Sequence, residues 1–257
     1  MTFADATTRF SSRVADYVRY RPGYPTALLG ILGEECGLLP QHVVTDIGSG
    51  TGLLSKLFLE NGNRVFGVEP NAEMRAAGEE FLAACDNFQS LHGTAEATGL
   101  SDECVDFITA GQAFHWFNAA SARREFRRIL KPLGWVVVVW NDRRISENHF
   151  AREYENLLVQ FGTDYKRIKD AYPETHDMTR FFGEGYVQFR ELPNFQEFDR
   201  EGLRGRLRSS SYAPQPGHRN YQPMMLALDN LFEAHQRGGR VRMTYGTHIY
   251  FGRLSNT

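Results

Sequence analysis

Between residues 42 and 141 short β-branched runs alternate with stretches of helical periodicity, and this alternation restricts the fold more than any other feature of the chain. His42 to Ile47 reads as a buried strand that stops at Gly48-Ser-Gly-Thr-Gly52. From Thr51 to Asn61 the apolar residues Leu54, Leu57 and Phe58 return at helical spacing, and Asn61-Gly62 closes that helix. Arg64 to Glu69 is a second strand stopped by Pro70, after which Asn71 can cap a helix running through Met74 and Phe81 to about Ala84. Phe88 to His92 gives a weaker third strand, Val105 to Ala110 a fourth, Ala119 to Leu130 a helix and Lys131-Pro-Leu-Gly134 a turn. Trp135-Val-Val-Val-Val-Trp140 is then an unbroken run, which fits a strand covered on both faces because a half-exposed strand alternates. Strand and helix in repetition mean a doubly wound, mostly parallel α/β sheet.

After Asn141 the rhythm changes. Residues 142 to 194 read as a mainly helical insertion, with helices over His149 to Phe161 and Tyr165 to Ala171. Phe195 to Asp199 is a candidate strand, Glu201 to Arg208 a short helix and Ser209 to Pro216 a loop. Gln222 to Gln236 is amphipathic through Met225, Leu228, Leu231 and Phe232, and Arg240 to Leu254 alternates as a closing strand or hairpin. No linker-like stretch separates this tail, so a single domain is expected over residues 1–257.

The 257 residues carry 29 basic and 31 acidic side chains, a formal charge of −2. Such a balance lacks the basic footprint that exchanges for phosphate counterions, so no nucleic-acid partner is expected. Arg123, Arg124, Arg127, Arg128 and Lys131 crowd one stretch, and Arg200, Arg204, Arg206 and Arg208 another. Both runs have helical spacing with apolar partners and read first as solvated helix faces. Cys36, Cys85 and Cys104 are odd in number and widely spaced, which supports neither a disulfide framework nor a zinc knuckle. A reducing, cytoplasmic compartment is the expectation. No basic start with an apolar run opens the chain and no segment approaches the ~20 apolar residues of a membrane span, so neither signal peptide nor membrane helix is expected. The histidines lack metal-ligand spacing with neighbouring acids, and no metal is expected.

Asp46-Ile-Gly48-Ser-Gly50-Thr-Gly52 falls where the first strand hands over to the first helix. Glycines there let the chain turn sharply and let a ligand lie against bare backbone, while the helix N-terminus offers unpaired N–H groups. Glu69 lies 17 residues beyond Gly52, at the end of the second strand, where a carboxylate accepts hydrogen bonds from both hydroxyls of an adenosine ribose. Dinucleotide enzymes favour Gly-x-Gly-x-x-Gly, whereas here the third glycine comes one residue early. Asp46 repels a pyrophosphate but suits a ligand carrying an ammonium or a sulfonium, and S-adenosylmethionine carries both. A helix-capping or strand-end carboxylate for Asp46 and a plain surface acid for Glu69 are the alternatives.

Val43-Val-Thr-Asp-Ile-Gly-Ser-Gly-Thr-Gly52, Val65-Phe-Gly-Val-Glu-Pro70, Gly93-Thr-Ala-Glu96, Gly111-Gln-Ala-Phe-His-Trp-Phe117 and Arg128-Ile-Leu-Lys-Pro-Leu-Gly134 resemble the successive motifs of class I S-adenosylmethionine-dependent methyltransferases. Within that class the pattern is similar to the small-molecule "type 11" branch that includes trans-aconitate methyltransferase-like proteins. The opening Phe10-Ser-Ser-Arg-Val-Ala-Asp-Tyr-Val-Arg-Tyr-Arg-Pro-Gly-Tyr-Pro25 is similar to that branch's N-terminal cap. The resemblance covers most of residues 8 to 141. It implies a Rossmann-like, seven-stranded sheet with a helical cap: a cap segment over 1–40, a cofactor-binding core over 41–141, the insertion over 142–194, and strands and helices completing the sheet over 195–257. It also implies that Asp46, Gly48, Ser49, Gly50, Thr51 and Gly52 line the methionine and ribose portion of the cofactor. By the same resemblance Glu69 binds the ribose, Pro70 and Met74 lie near the adenine, Thr94, Ala95 and Glu96 reach its edge, and Gln112 and Ala113 lie beside the transferred methyl. The family often has aspartate at Thr94 and a second glycine at Leu133. Met74 reads equally well as packing.

Tyr17, Tyr20, Arg21 and Tyr24 read either as a lid over cofactor and substrate carboxylates or as a proline-punctuated surface loop. Phe114 and Trp116, with Phe117, read as a wall beside the methyl or as core. His115 follows the fourth strand, where ligands collect, and is the candidate general base, with packing as its alternative. The expectation is an enzyme that moves a methyl group from S-adenosylmethionine to a small-molecule acceptor by in-line displacement. A carboxylate acceptor is favoured by Arg21 and the arginines at 200 to 208. The alternatives are a cofactor-binding protein without transferase activity, a methyltransferase of protein or RNA, and a nucleotide-dependent oxidoreductase.

Overall fold

The computed structural model describes residues 13–170, 175–183 and 186–255. The first twelve residues of the expected N-terminal cap lie outside them. Within the described residues β1 (Val43–Ile47), β2 (Arg64–Val68), β3 (Phe88–Leu91), β4 (Val105–Gly111), β5 (Leu130–Arg143), β6 (Val187–Phe198) and β7 (Val241–Gly252) form one sheet in the order β3-β2-β1-β4-β5-β7-β6. The first five strands are parallel, and β7 runs antiparallel between β5 and β6. The expected doubly wound sheet is therefore what forms. Its order reverses at β1, which pairs with β2 on one side and β4 on the other, so the carboxyl ends of β1 and β4 bound a crevice that no crossover covers.

Burial explains the valine run. Val136, Val138 and Trp140 point into one face with Phe126 and Ile129 of α5 (Ala119–Ile129), while Val137 and Val139 point into the other with Leu54 and Phe58 of α3 (Leu53–Glu60). Helix α2 (Ala27–Cys36) adds Leu28 and Leu32 to that second face. Helix α4 (Ala72–Phe81) starts where Asn71 Oδ1 accepts the Met74 amide at 2.8 Å, the cap expected from the sequence. The expected turn at Lys131 to Gly134 lies inside β5, where the pairing to β4 jumps from Val105 to Phe107 and exposed Leu133 takes a φ of 68°.

Beyond β5, α6 (His149–Phe161) and α7 (Tyr165–Asp170) occupy the positions read for them, and α8 (Thr175–Phe182) joins the first face of the sheet. With α9 (Arg200–Arg208) and α10 (Tyr221–His235), α6 and α7 bury a separate apolar cluster against the start of β7. The insertion ends earlier than expected. Residues 187–194 belong to β6, an edge strand with Pro193 and mostly exposed side chains, so no buried run announces it. Helix α1 (Val14–Tyr20) lies across α9 and next to α4. No helix among the described residues is long and apolar enough to cross a membrane.

Candidate active site

The turn after β1 is held from below. The Gly48 and Ser49 amides both donate to Val68 O at the end of β2, at 2.8 and 3.2 Å. Gly48 has φ 69°, and a Cβ there lands 2.6 Å from Ala113 Cβ, so both conformation and space demand glycine. Glu69 is buried and its two oxygens accept the Gly50 amide at 2.9 Å and the Asn71 amide at 2.8 Å. Burial raises its pKa against the pull of those two amides. The amides fix the carboxylate's direction, and each oxygen keeps a lone pair for a further donor.

Two connected spaces meet at this turn. A cleft of about 90 Å³ is lined by Gly48, Gly50, Glu69, Pro70, Met74, Thr94, Ala95, Glu96, Gln112, Ala113 and Trp116, together with Asn71 and Phe117. A chamber of about 280 Å³ is lined by Asp46, Ser49, Thr51, Arg21 and Tyr24 and by side chains from the insertion and the C-terminal region. Tyr17, Gly48, Gly50, Gly111 and Gln112 line both. Gln112 takes φ 56° at the end of β4, its amide donating to Val139 O and its side-chain nitrogen to Asn141 O at 3.0 Å. Gly111 leaves room for the Tyr24 hydroxyl, which a Cβ would overlap.

Asp46 is buried at the end of β1, its carboxylate accepting Ser55 Oγ at 2.7 Å and Thr109 Oγ1 at 3.2 Å. Burial pushes its pKa up to about 7 despite both donors. Thr51 Oγ1 is buried on the chamber side with no hydrogen-bond partner among the described residues. Bare glycine backbone, a buried carboxylate directed from β2, a second one at the turn and an orphaned hydroxyl make a donor and acceptor set that fits S-adenosylmethionine.

The far wall of the chamber is cationic. Arg21, Arg143, Lys169 and Arg206 all line it. Arg143 donates to Glu155 at 3.0 Å, to Tyr165 Oη at 2.7 Å and to Tyr212 Oη at 3.1 Å, and Lys169 donates to the same Glu155 at 2.6 Å. Among the described residues Arg206, 3% exposed, donates only to Ser210 Oγ at 3.0 Å and Tyr245 Oη at 3.3 Å. Arg21 donates to Ser209 O at 2.8 Å and lies over the Tyr17 ring. Among the described residues neither Arg206 nor Arg21 meets a carboxylate.

Five expectations change. Phe114 does not line either space; its ring packs edge-on against Phe181 at 4.7 Å and against Trp140, inside the core, because the short helical turn Phe114–Trp116 aims it down onto α8. His115 also lines neither; it is half-buried against Trp116, and burial pulls its imidazole down to about 3, a poor value for a base. Tyr20 packs against Gly205 of α9 rather than over the chamber. Gly52 lies behind the turn as the left-handed cap of α3, closed in by Leu82. The sequence reading also placed Arg206 on a solvated face, whereas Arg200, Arg204 and Arg208 are ion-paired to Glu233, Asp229 and Asp16 and Arg206 alone turns inward. Arg143, Tyr165, Lys169 and Tyr212 were missed. The one local signal for Arg206 is its place between Leu203 and Leu207, on the apolar side of α9.

The strand order, the three-glycine turn and the carboxylate after β2 define a doubly wound α/β protein with a cleft at its switch point. A sequence profile described as a methyltransferase domain matches residues 45–138, and an uncharacterised methyltransferase of Geobacillus kaustophilus is 35% identical over 153 residues, 56% of this chain and 68% of that protein. The chain belongs to this methyltransferase family. An uncharacterised methyltransferase of Mycobacterium tuberculosis is 38% identical over 170 residues, 65% of this chain, and the match spans 64% of the relative's length. A solved structure from Anaeromyxobacter dehalogenans, provisionally assigned as a type II methyltransferase, superposes with a TM-score of 0.62 at 22% identity, covering 92% of this chain and 100% of its own. That likeness is one of fold.

Proposed function

We propose that this protein transfers the methyl group of S-adenosylmethionine to a small molecule through a carboxylate on that molecule. The observation that carries the reading is the chamber beside the glycine turn, where Arg21 and Arg206 face inward with no carboxylate partner among the described residues. A buried guanidinium with no carboxylate beside it is costly, and an anionic ligand can supply the opposite charge. The chamber's size of about 280 Å³ favours a small molecule over a polymer. The resemblance of residues 8 to 141 to a small-molecule branch points the same way.

When bound, the cofactor supplies an electrophilic methyl with its leaving group already attached. The chain's own part is to bind and orient. Glu69 takes the ribose hydroxyls, and Asp46 offers negative charge near the cofactor's cations. Gln112 and Gly111 form the floor between cleft and chamber, and Tyr17 and Tyr24 close it from above against water. Arg206, Arg143 and Arg21 hold the acceptor's anionic end. Positioning of this kind is worth roughly 7–11 kcal/mol of barrier. A carboxylate nucleophile has no proton to lose, so the reaction needs no base, in keeping with the place of His115 outside the chamber.

The test is product chemistry. Incubation with methyl-labelled cofactor and a metabolite extract should give base-labile methyl esters, detected by mass spectrometry. Their formation should fall about 10–100-fold in Arg206→Met, the loss expected for a charge-assisted contact. Label recovered only in base-stable N- or C-methyl products, or in protein or RNA, overturns the carboxylate reading.

A further inference from the structure

Tyr212 lies in the loop between α9 and α10, buried, with its carbonyl accepting the Thr163 amide at 3.0 Å and its ring edge-on to Tyr165 at 4.8 Å. Every element around it brings a charged or titratable group. Arg143 comes from β5 and donates to its hydroxyl at 3.1 Å, Arg206 and Ser210 come from α9 and its exit, and Arg21 comes from the exit of α1 with Tyr17 beneath it. Tyr165 and Lys169 come from α7, Tyr154 and Glu155 from α6, and Tyr245 from β7.

These groups are not equivalent. Glu155 is committed to Arg143, Tyr165 and Lys169 at once. Tyr165 gives its proton to Glu155 at 2.6 Å, and Tyr245 gives its proton to Gln196 Oε1 at 2.9 Å. Burial pushes Tyr154 up to about 12. No carboxylate or amide oxygen among the described residues takes the proton of Tyr212. Burial pushes its phenol up, but the guanidiniums of Arg143, Arg206 and Arg21 and the Ser210 hydroxyl outweigh it and hold the group below the ordinary tyrosine range.

We propose that Tyr212 is the chamber's internal counter-ion at alkaline pH: its phenolate then balances the inward guanidiniums until an acceptor carboxylate enters, and it takes up one solvent proton as that carboxylate replaces it. The charge of the chamber is then the same before and after binding, which removes much of the cost of either state. This inference rests on the carboxylate reading above. Its sign is fixed by linkage. Below the ionisation of Tyr212 the acceptor binds with no proton change, and above it affinity falls tenfold for each pH unit because each binding event takes up one proton.

The probes are acetate, succinate and inorganic phosphate, titrated into the full chain saturated with S-adenosylhomocysteine. In calorimetry at pH 9, run in two buffers of different ionisation enthalpy, binding of the best probe should be accompanied by uptake of about one proton in the wild type and none in Tyr212→Phe. The ultraviolet absorbance of a phenolate, present in the wild type below the ordinary tyrosine pKa of about 10, should vanish in Tyr212→Phe and diminish on adding the probe. Arg206→Met should weaken the probe at every pH. A probe that binds through Arg206 without proton uptake, or with the same uptake in Tyr212→Phe, overturns the counter-ion role and leaves the carboxylate reading intact. Failure of all three probes to bind, with Arg206→Met indistinguishable from wild type, overturns both.

Discussion

Burial lifts the Asp46 carboxyl to about 7 although Ser55 Oγ and Thr109 Oγ1 both donate to it. An unfolded aspartate titrates near 3.9, so the folded chain prefers the protonated form. The stability that this preference contributes is complete below about pH 4 and is lost as pH rises through 7. A shift of about three units is worth up to ~4 kcal/mol. Asp46→Asn should therefore stabilise the chain by about 2–4 kcal/mol at pH 8, with hydroxyls that can turn to accept from its amide, and by nothing at pH 4. Urea unfolding across that range reads the difference, and a gain that does not depend on pH contradicts the account. The same substitution should abolish a pH dependence of cofactor affinity. In the wild type S-adenosylmethionine should bind more tightly as pH rises through 7, because its ammonium and sulfonium favour the carboxylate. The cost to stability thus falls on the carboxylate that the proposed cofactor's cations would face.

At the scale of elements, helix α1 is held by contacts far away in sequence. Arg13 donates to the carbonyls of Arg208 at 3.0 Å, Ala213 at 2.6 Å and Ser210, and Arg208 in turn pairs with Asp16 at 2.8 Å. This latch holds Tyr17 over both cleft and chamber. Arg13→Ala leaves buried carbonyls without donors, at about 1–3 kcal/mol each. Amides 14–20 should then exchange at least tenfold faster while those of β1 and β4 keep their protection, and cofactor affinity should fall; unchanged exchange in α1 removes the latch. Elements set by local signals were legible in the sequence. β1, its turn and α3 follow from a β-branched run, three glycines with φ of 69°, 55° and 82° and a helical period. β6 was legible only at its end, since an exposed edge strand carries no buried run and Pro193 breaks what alternation there is. Helix α2 lacks a clear amphipathic period to announce it. For the site, the cleft lies next to motifs contiguous in sequence and was largely legible. The chamber was not: the same Leu203 and Leu207 spacing serves a solvated arginine or a buried one, and Tyr245, which accepts from Arg206, comes from β7, far away in sequence. Phe114 was misplaced because the direction of a short turn depends on α8, about 65 residues later.

For the whole molecule, the sheet brings the two spaces into contact through one wall. Tyr17, Gly48, Gly50, Gly111 and Gln112 belong to both, and they come from α1, the turn after β1 and the end of β4. A ligand that orders this wall from the cleft lowers the entropy that a ligand in the chamber must still remove. The two sites should therefore be coupled, and by thermodynamic necessity the coupling is reciprocal. S-adenosylhomocysteine should tighten the binding of an anionic probe such as succinate, and succinate should tighten S-adenosylhomocysteine by the same factor, about 5-fold or more for a typical coupling. Tyr17 is the shared aromatic side chain and comes from α1, so Tyr17→Ala should bring the factor close to one in both directions. The wild-type sheet core should not change. Either ligand at a hundred times its dissociation constant should stabilise the whole chain by about 2.7 kcal/mol, which for a chain of this size raises the unfolding midpoint by roughly 5–10 °C. Equal affinities for succinate with and without S-adenosylhomocysteine show that the wall is rigid and that the two ligands bind independently.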